Sequence, residues 1–556
     1  MGVALRTHHS PPRSLLARGR TNRPGANGER CVTDSGAEKV YPQTYGEALA
    51  IHAKERPDQP ALRFAGRVTT YGEYDHHATQ IANGLAARGI GKGDRIAYLG
   101  KNSDMAVELC LGAARAGVVF VPIIWRLAPA EVEFILNDCG AKLLFVEEAF
   151  ADAASAAGWS ADDTIVMESD FAAWRDGQSD AAVETPVGPQ DGHLQLYTSG
   201  TTGKPKGVVL SHHNGTNLRK SLEENDIYWY CANPGDAAIL AMPYGHIAGV
   251  GTATGAVLGG VDLIIHAEFD PAQTIRDVQE YGVKWIFLVP AAIGLLLAHP
   301  DAEKADFSSV EGLTYGASPI PLELLKAGVE RLKCDFAQLY GLTETYGTVV
   351  SLSPEDHRPE NVEGREHVMR SAGKPLPGVE LQIRDAEGNP LPPGETGEVA
   401  IRSDCVMLGY WNRPEENAKA MTEDGWFLTG DAGTVDEEGY LFIQDRIKDM
   451  IISGGENVYP AEVESAIYGH PAIADIAVIG VPDDKWGEAV KAVIVVKPGE
   501  QLTEDELIEH ARAKIAGFKC PKSVDFIDML PRNPSGKILR RELRAPYWEG
   551  RERQVN

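Results

Sequence analysis

Between residues 71 and 87 apolar side chains recur three and four positions apart, the spacing that lines one face of a helix. A short apolar run at 94–99 follows, then a helical pattern at 105–116 and an apolar run at 118–124. The alternation repeats with a helix at 131–139 and a strand at 142–146. Strands alternating with helices in this way predict an α/β fold of layered subdomains around a largely parallel sheet. The same texture returns between 237 and 337. From 378 to 402 it gives way to short β-like segments broken by Gly388, Pro390, Pro392, Pro393 and Gly394, which predicts a small β subdomain. After Asp445 the stretches 462–467, 476–481, 489–496 and 504–516 read as a small α+β domain. These shifts divide the chain into a large N-terminal domain at 41–447 and a C-terminal domain at 448–556. The apolar stretches 247–265 and 285–298 fail as membrane spans. The first carries five glycines and Asp262, and the second is short and contains Pro290. Both are expected to be buried elements of a large core.

The chain has 556 residues, 43% hydrophobic and 24% charged, which excludes both a single small module and wholesale disorder. Its 80 acidic and 53 basic residues leave a net charge of −27. That field disfavours nucleic acid and anionic membranes as partners, so any anion must be met by a local cluster of donors. The seven cysteines are dispersed and form no CxxC pair, as expected of reduced thiols in the cytoplasm. Residues 1–40 differ from the rest, with Arg6, Arg13, Arg18, Arg20, Arg23 and Arg30 among Pro, Gly and Ser. A disordered extension or an upstream start codon suits them better than a transit peptide.

The strongest local signal is Tyr197-Thr-Ser-Gly-Thr-Thr-Gly-Lys-Pro-Lys-Gly207, directly after the apolar residues 194–196. Glycines let backbone N–H groups approach phosphate oxygens, while Thr198, Ser199, Thr201 and Thr202 can donate and Lys204 and Lys206 can neutralise. Gly200 and Gly203 complete the loop. It is not a Walker A loop, because Pro205 follows Lys204 where a hydroxyl residue would open a helix.

This loop resembles the signature of the adenylate-forming superfamily of acyl- and aryl-CoA synthetases, peptide-synthetase adenylation domains and luciferases. Further motifs follow in that family's order: Tyr315-Gly-Ala-Ser-Pro319, Tyr340-Gly-Leu-Thr-Glu-Thr345, Gly409-Tyr-Trp-Asn412, Gly425-Trp-Phe-Leu-Thr-Gly-Asp431, Asp445-Arg-Ile-Lys-Asp449, Ser453-Gly-Gly-Glu-Asn457 and Pro534-Ser-Gly-Lys537. The resemblance implies that a carboxylate attacks the α-phosphate of ATP, pyrophosphate leaves, and CoA takes the acyl group. It implies Mg²⁺ on Glu344, with Thr343 donating to the α-phosphate. Tyr340 and Gly341 would flank adenine, with Gly316, Ala317 and Ser318 on its other face. Asp431 would accept the ribose hydroxyls, and Arg446 would contact ribose or phosphate. Lys537 would bridge the two reactants from a mobile C-terminal domain. Lys448 would be the pivot, and Gly454 and Gly455 would belong to the thiol tunnel. A homodimer is compatible with this reading. So is a relative that passes its acyl group to a carrier protein or partner enzyme, or one that acts on aryl acids.

Pro243-Tyr-Gly-His-Ile-Ala-Gly-Val-Gly251 resembles the family's acyl-pocket helix. It lacks the aspartate that amino-acid-activating members carry, which argues against an α-amino acid. Gly245 stands where many relatives have an aromatic residue. Together with Ile247, Ala248, Gly249, Gly341 and Gly347 it predicts a roomy apolar wall for a fatty or other bulky acid. His246 is read either as a gate near the adenylate or as a packed core histidine. If this stretch is helical, Gly245 and Gly249 open the same wall. Ser211-His212-His213 offers no legible acidic partner and is read as a helix N-cap, Ser211, and not as a nucleophile.

Overall fold

A computed structural model describes residues 41–198, 205–230, 232–358, 361, 364–454, 456–483, 485–532 and 538–549, with only the backbone of Tyr230 and Lys448. Pro42–Asn556 forms one compact unit. Among the described residues the strands make four sheets. The first runs Gly409–Tyr410, Lys206–Ser211, Gly192–Thr198, Val119–Ile124, Arg95–Gly100, Leu144–Val146 and Thr164–Val166. Its central strands are parallel and buried along their whole length, which is why they read as unbroken apolar runs.

The second sheet has a parallel centre of Asp335–Tyr340, Gly312–Gly316, Trp285–Leu288, Ala237–Leu240 and Asp262–Ile265. These two sheets share one core, in which Ile81, Val107, Phe120, Leu210, Leu240 and Val250 are all buried. Local chemistry sets the helices between them. Thr70 and Glu73 form a capping box at the start of Tyr71–Ala87, and Ser103 caps Asp104–Ala116, which stops at Gly117 in the left-handed conformation. Both suspected membrane segments resolve into core elements. Helix Ile247–Gly259 turns at Gly260 into strand Asp262–Ile265, and strand Trp285–Leu288 precedes helix Pro290–Ala298. No helix of the described residues is long and apolar enough to cross a membrane.

The small β unit is an antiparallel sheet of Glu380–Arg384, Gly397–Arg402, Phe427–Val435 and Leu441–Arg446. Beyond a 3₁₀ turn at Ile447–Asp449, a sheet built on the hairpin Ile473–Asp483 and Gly487–Val496 carries helices Pro460–Tyr468 and Glu504–Arg512. Both hairpin strands outrun the expected apolar runs, because Asp475, Pro482 and Asp483 stay in the ladder while presenting polar or turn-like residues. The expected extension at 1–40 lies outside the described residues.

Candidate active site

Gly192–Thr198 and Lys206–Ser211 pair antiparallel with Thr198 opposite Lys206, so the phosphate-loop motif closes a hairpin and does not open a helix. Ser199, Gly200, Thr201, Thr202, Gly203 and Lys204 lie outside the described residues. Lys206, read from sequence as a phosphate-neutralising charge, is already paired with Glu416 and sits 5.0 Å over the Tyr410 ring. A phosphate would have to compete with that carboxylate. Ser211 caps helix His212–Glu224 by accepting from Asn214, as read from sequence. His212 is buried, stacks on His193 at 4.8 Å, and is pulled down to about 4 by burial, so it stays neutral.

Strand Asp335–Tyr340 delivers Tyr340, and the 3₁₀ turn Thr343–Thr345 that follows buries Glu344. Tyr340 Oη donates to Asp431 Oδ2 at 2.7 Å. Arg446 lies opposite Asp431 across two antiparallel strands, with Nε 2.9 Å from Asp431 Oδ1 and Nη1 donating to Thr429 O at 2.9 Å. Two sheets thus converge on one carboxylate. Burial opposes the Arg446 charge, but Asp431, Tyr340 and Glu344 outweigh it and hold the proton more firmly than usual. Gly316 ends its strand against the Leu339 carbonyl, and Ala317 (φ 67°) and Ser318 form an exposed turn beside it.

Glu344 is 8% exposed and forms no ion pair among the described residues; Tyr410 Oη donates to its Oε1 at 3.0 Å. A buried carboxylate with spare lone pairs and no cation partner suits a divalent ion. No group of three or more His, Cys, Asp or Glu able to hold a metal occurs among the described residues.

Beside this cluster lies a cavity of about 580 Å³. Gly341, Thr343 and Gly347 stand at one end, and the space runs between helices His212–Glu224 and Ile247–Gly259. Gly245, His246, Ile247 and Ala248 line it as expected. Two readings need correction. The helix begins at Ile247 with His246 as its N-cap residue, so Gly245 and Gly249 do not share a helical face. A Cβ on Gly249 would lie 2.2 Å from Pro243 O, so this glycine admits backbone and opens no wall. A Cβ on Gly245 would press on Ile124 at 2.7 Å. The open positions on the helix are Gly251 and Gly255, which line the cavity and have no backbone neighbour crowding a Cβ. Their four-residue spacing was legible but overlooked, as was the role of Tyr410.

Arg532, Leu539 and Glu542 from the C-terminal region also line the cavity. Lys537 and Gly455 lie outside the described residues. The Lys448 backbone is in the Ile447–Asp449 turn that follows strand Leu441–Arg446. Gly454 (φ 65°) turns one hairpin, donating its N–H to Trp486 O at 2.8 Å, with the indole so close that a Cβ would lie 2.7 Å from it.

Residues 49–411 match the AMP-binding enzyme family, and 462–537 match the AMP-binding enzyme C-terminal domain. The chain belongs to this adenylate-forming family, and it is an ATP-dependent acid–thiol ligase of the acyl-CoA synthetase type. It is 42% identical over 516 residues to the fatty acid–[acyl-carrier-protein] ligase ScoC of Streptomyces coeruleorubidus, covering 92% of this chain and 98% of that one. It is 40% identical over 512 residues to a feruloyl-CoA synthase of an Amycolatopsis species, covering 91% and 99%. ATP-bound MatB from Rhodopseudomonas palustris superposes with a TM-score of 0.81 at 30% identity, covering 90% and 99%.

Proposed function

We propose that this ligase activates a large, mainly apolar carboxylic acid and transfers it to CoA. The observation that carries the reading is the cavity beside Thr343 and Glu344, which follows the helix from Ile247 to Leu258. Eleven residues on, at about 1.5 Å per residue, this is a path of about 16 Å. A carboxylate oxygen attacks the α-phosphorus of ATP, the bond to the bridging oxygen breaks, and pyrophosphate leaves. A thiolate then attacks the acyl carbon, and AMP leaves with the electron pair.

In this reading Thr343 donates to the α-phosphate and Lys537 offsets the charge gathered there. Thr198 and the loop after it cradle the phosphates. Asp431 accepts the ribose hydroxyls beside Arg446, and Tyr340 packs on adenine opposite Gly316 and Ala317. Glu344 would hold Mg²⁺, which supplies charge neutralisation at the phosphates when bound. Residues 448–556 act as a mobile domain pivoting at Lys448. Free thiols at Cys110, Cys139, Cys334, Cys405 and Cys520 suit the cytoplasm.

ATP–pyrophosphate exchange over a series of acids, followed by addition of CoA, tests the reading. Lys537→Ala should abolish exchange yet leave thioester formation from supplied acyl-adenylate largely intact; equal loss of both removes its assignment. The similarity to ScoC supports a second acceptor, a carrier protein. Thioester appearing on a carrier's pantetheine thiol but not on CoA would establish that alternative.

A further inference from the structure

The far end of the cavity is polar. Arg219, on helix His212–Glu224, lines it together with Leu258 and Val261. A Cβ added to Gly259, the last residue of helix Ile247–Gly259, would lie 3.4 Å from Arg219 Nη1 and 3.1 Å from Ala232 O. The guanidinium therefore sits twelve residues, about 18 Å, along the helix from Ile247. Arg219 Nε donates to Glu223 and Nη2 donates to Ala232 O at 2.8 Å. No hydrogen bond from Nη1 is formed among the described residues. Trp229 also lines the cavity, and its Nε1 is buried without a hydrogen-bond partner among the described residues. At the end remote from Thr343, Trp229 Nε1 is thus buried and unmatched, and Arg219 Nη1 beside it makes no hydrogen bond among the described residues. Buried donors in folded proteins are normally paired, and a site built around them selects ligands that supply the acceptor.

We infer that the preferred acid carries a neutral oxygen acceptor, a hydroxyl or carbonyl, near its far end, where Arg219 and Trp229 donate to it. This rests on the proposed function, since it takes the channel as the acyl site. The acceptor is neutral because Glu223 already balances the Arg219 charge, so a second carboxylate would enter without a free counter-ion. C–C bonds of about 1.5 Å zigzag and advance the chain about 1.3 Å each, so an extended chain needs roughly fourteen carbons to span the distance.

The experiment measures kcat/KM with straight-chain acids of about ten to sixteen carbons, beside their terminal hydroxy, penultimate oxo and dicarboxylic counterparts. At the matching length the hydroxy or oxo acid should exceed the plain acid by about tenfold or more. In Arg219→Met and in Trp229→Phe that ratio should fall towards one. The ratio is internal to each variant, so partial loss of folded protein does not move it. Plain acids turned over as well as their oxygenated partners, or a ratio unchanged in both variants, overturns the inference and leaves the ligase reading standing. A dicarboxylic acid as the best substrate overturns the neutral acceptor. Failure of every acid in all series to support exchange overturns the acyl-channel reading itself, and the inference with it.

Discussion

Glu344 and Tyr410 lie 66 residues apart and meet through one 3.0 Å hydrogen bond. The phenol holds the carboxylate on one oxygen and leaves the other for a cation. Burial and the neighbouring Glu344 raise the Tyr410 pKa, so the hydroxyl stays a donor across the working pH range. A hydrogen bond to a charged group contributes about 1.5–3 kcal/mol, so Tyr410→Phe should lower kcat/KM for exchange by at least about tenfold. It should also raise the Mg²⁺ concentration needed for half-maximal rate. An unchanged Mg²⁺ profile would remove Tyr410 as the positioning residue. A second residue-scale test concerns buried imidazoles. Burial holds His212 and His357 at about 4 and His193 well below its ordinary value, the His212 imidazole adding to the last. Their folded values lie below the unfolded one, so their neutral forms stabilise the fold fully above pH 6.5. That stability is lost as pH falls towards 4, by up to about 1.4 kcal/mol per unit for each group. His193 has no hydrogen-bond partner at either ring nitrogen among the described residues. His193→Leu should therefore flatten the acid limb of a Tm-against-pH curve by about one proton while costing little at pH 8. An unaltered limb would place the acid sensitivity elsewhere.

On the proposed reading, helix Ile247–Gly259 would act as a ruler along the acyl channel. Gly251 and Gly255 face the cavity four residues apart, about 6 Å. At either position leucine would fill channel space and also favour the helix, glycine being about 0.8–1 kcal/mol worse than alanine there. Gly251→Leu and Gly255→Leu should keep or raise Tm while each cuts off acids beyond a fixed length. The cut-off for Gly255→Leu should lie about four or five carbons beyond that for Gly251→Leu. Equal cut-offs would mean that the chain does not run along this helix. The resemblance to the family's acyl-pocket helix pointed to this element, but its start was misjudged. Pro243-Tyr-Gly-His reads as apolar and small enough to extend the helix, whereas the Asn102 side chain holds the Tyr244 N–H at 2.8 Å and that segment in a turn. One misplaced boundary moved the pocket wall from Gly251 and Gly255 to Gly245 and Gly249. Strand–helix alternation was legible because parallel strands bury both faces. The Tyr410–Glu344 contact and the Arg219 terminus were not, since each joins residues whose proximity depends on how separate elements pack.

At the scale of the whole molecule, charge ties the C-terminal helix to the turn Ile447–Asp449. Helix Arg540–Trp548 begins three residues after Lys537 and presents Arg540 and Arg544 one turn apart. Arg544 Nη1 lies 3.0 Å from Asp449 Oδ1, and Arg540 Nη1 lies 3.8 Å from Asp445 Oδ1 while its Nη2 reaches Glu464 at 2.8 Å. Asp445 also accepts the Ala461 N–H at 2.9 Å, joining the last strand of the small β sheet to the first helix beyond the hinge. Removing Arg540 would strand the buried Asp445 and the half-buried Glu464 and risk the fold at about 3–5 kcal/mol. Arg544 is the milder probe, because in its pair with Asp449 both side chains keep some exposure. In this arrangement Arg532 and Leu539, on either side of Lys537, face the cavity. On the proposed reading, in which residues 448–556 pivot and Lys537 serves adenylation, the Arg544–Asp449 pair would favour the adenylating pose. Arg544→Gln should slow ATP–pyrophosphate exchange several-fold, with the folded fraction monitored by Tm. Thioester formation from supplied acyl-adenylate should hold steady or quicken, since on the proposed reading that step needs the other pose. Added salt should narrow the difference between wild type and variant, as ions screen a partly exposed pair. Equal slowing of both half-reactions would show that Arg544 supports the C-terminal domain as a whole and selects neither pose.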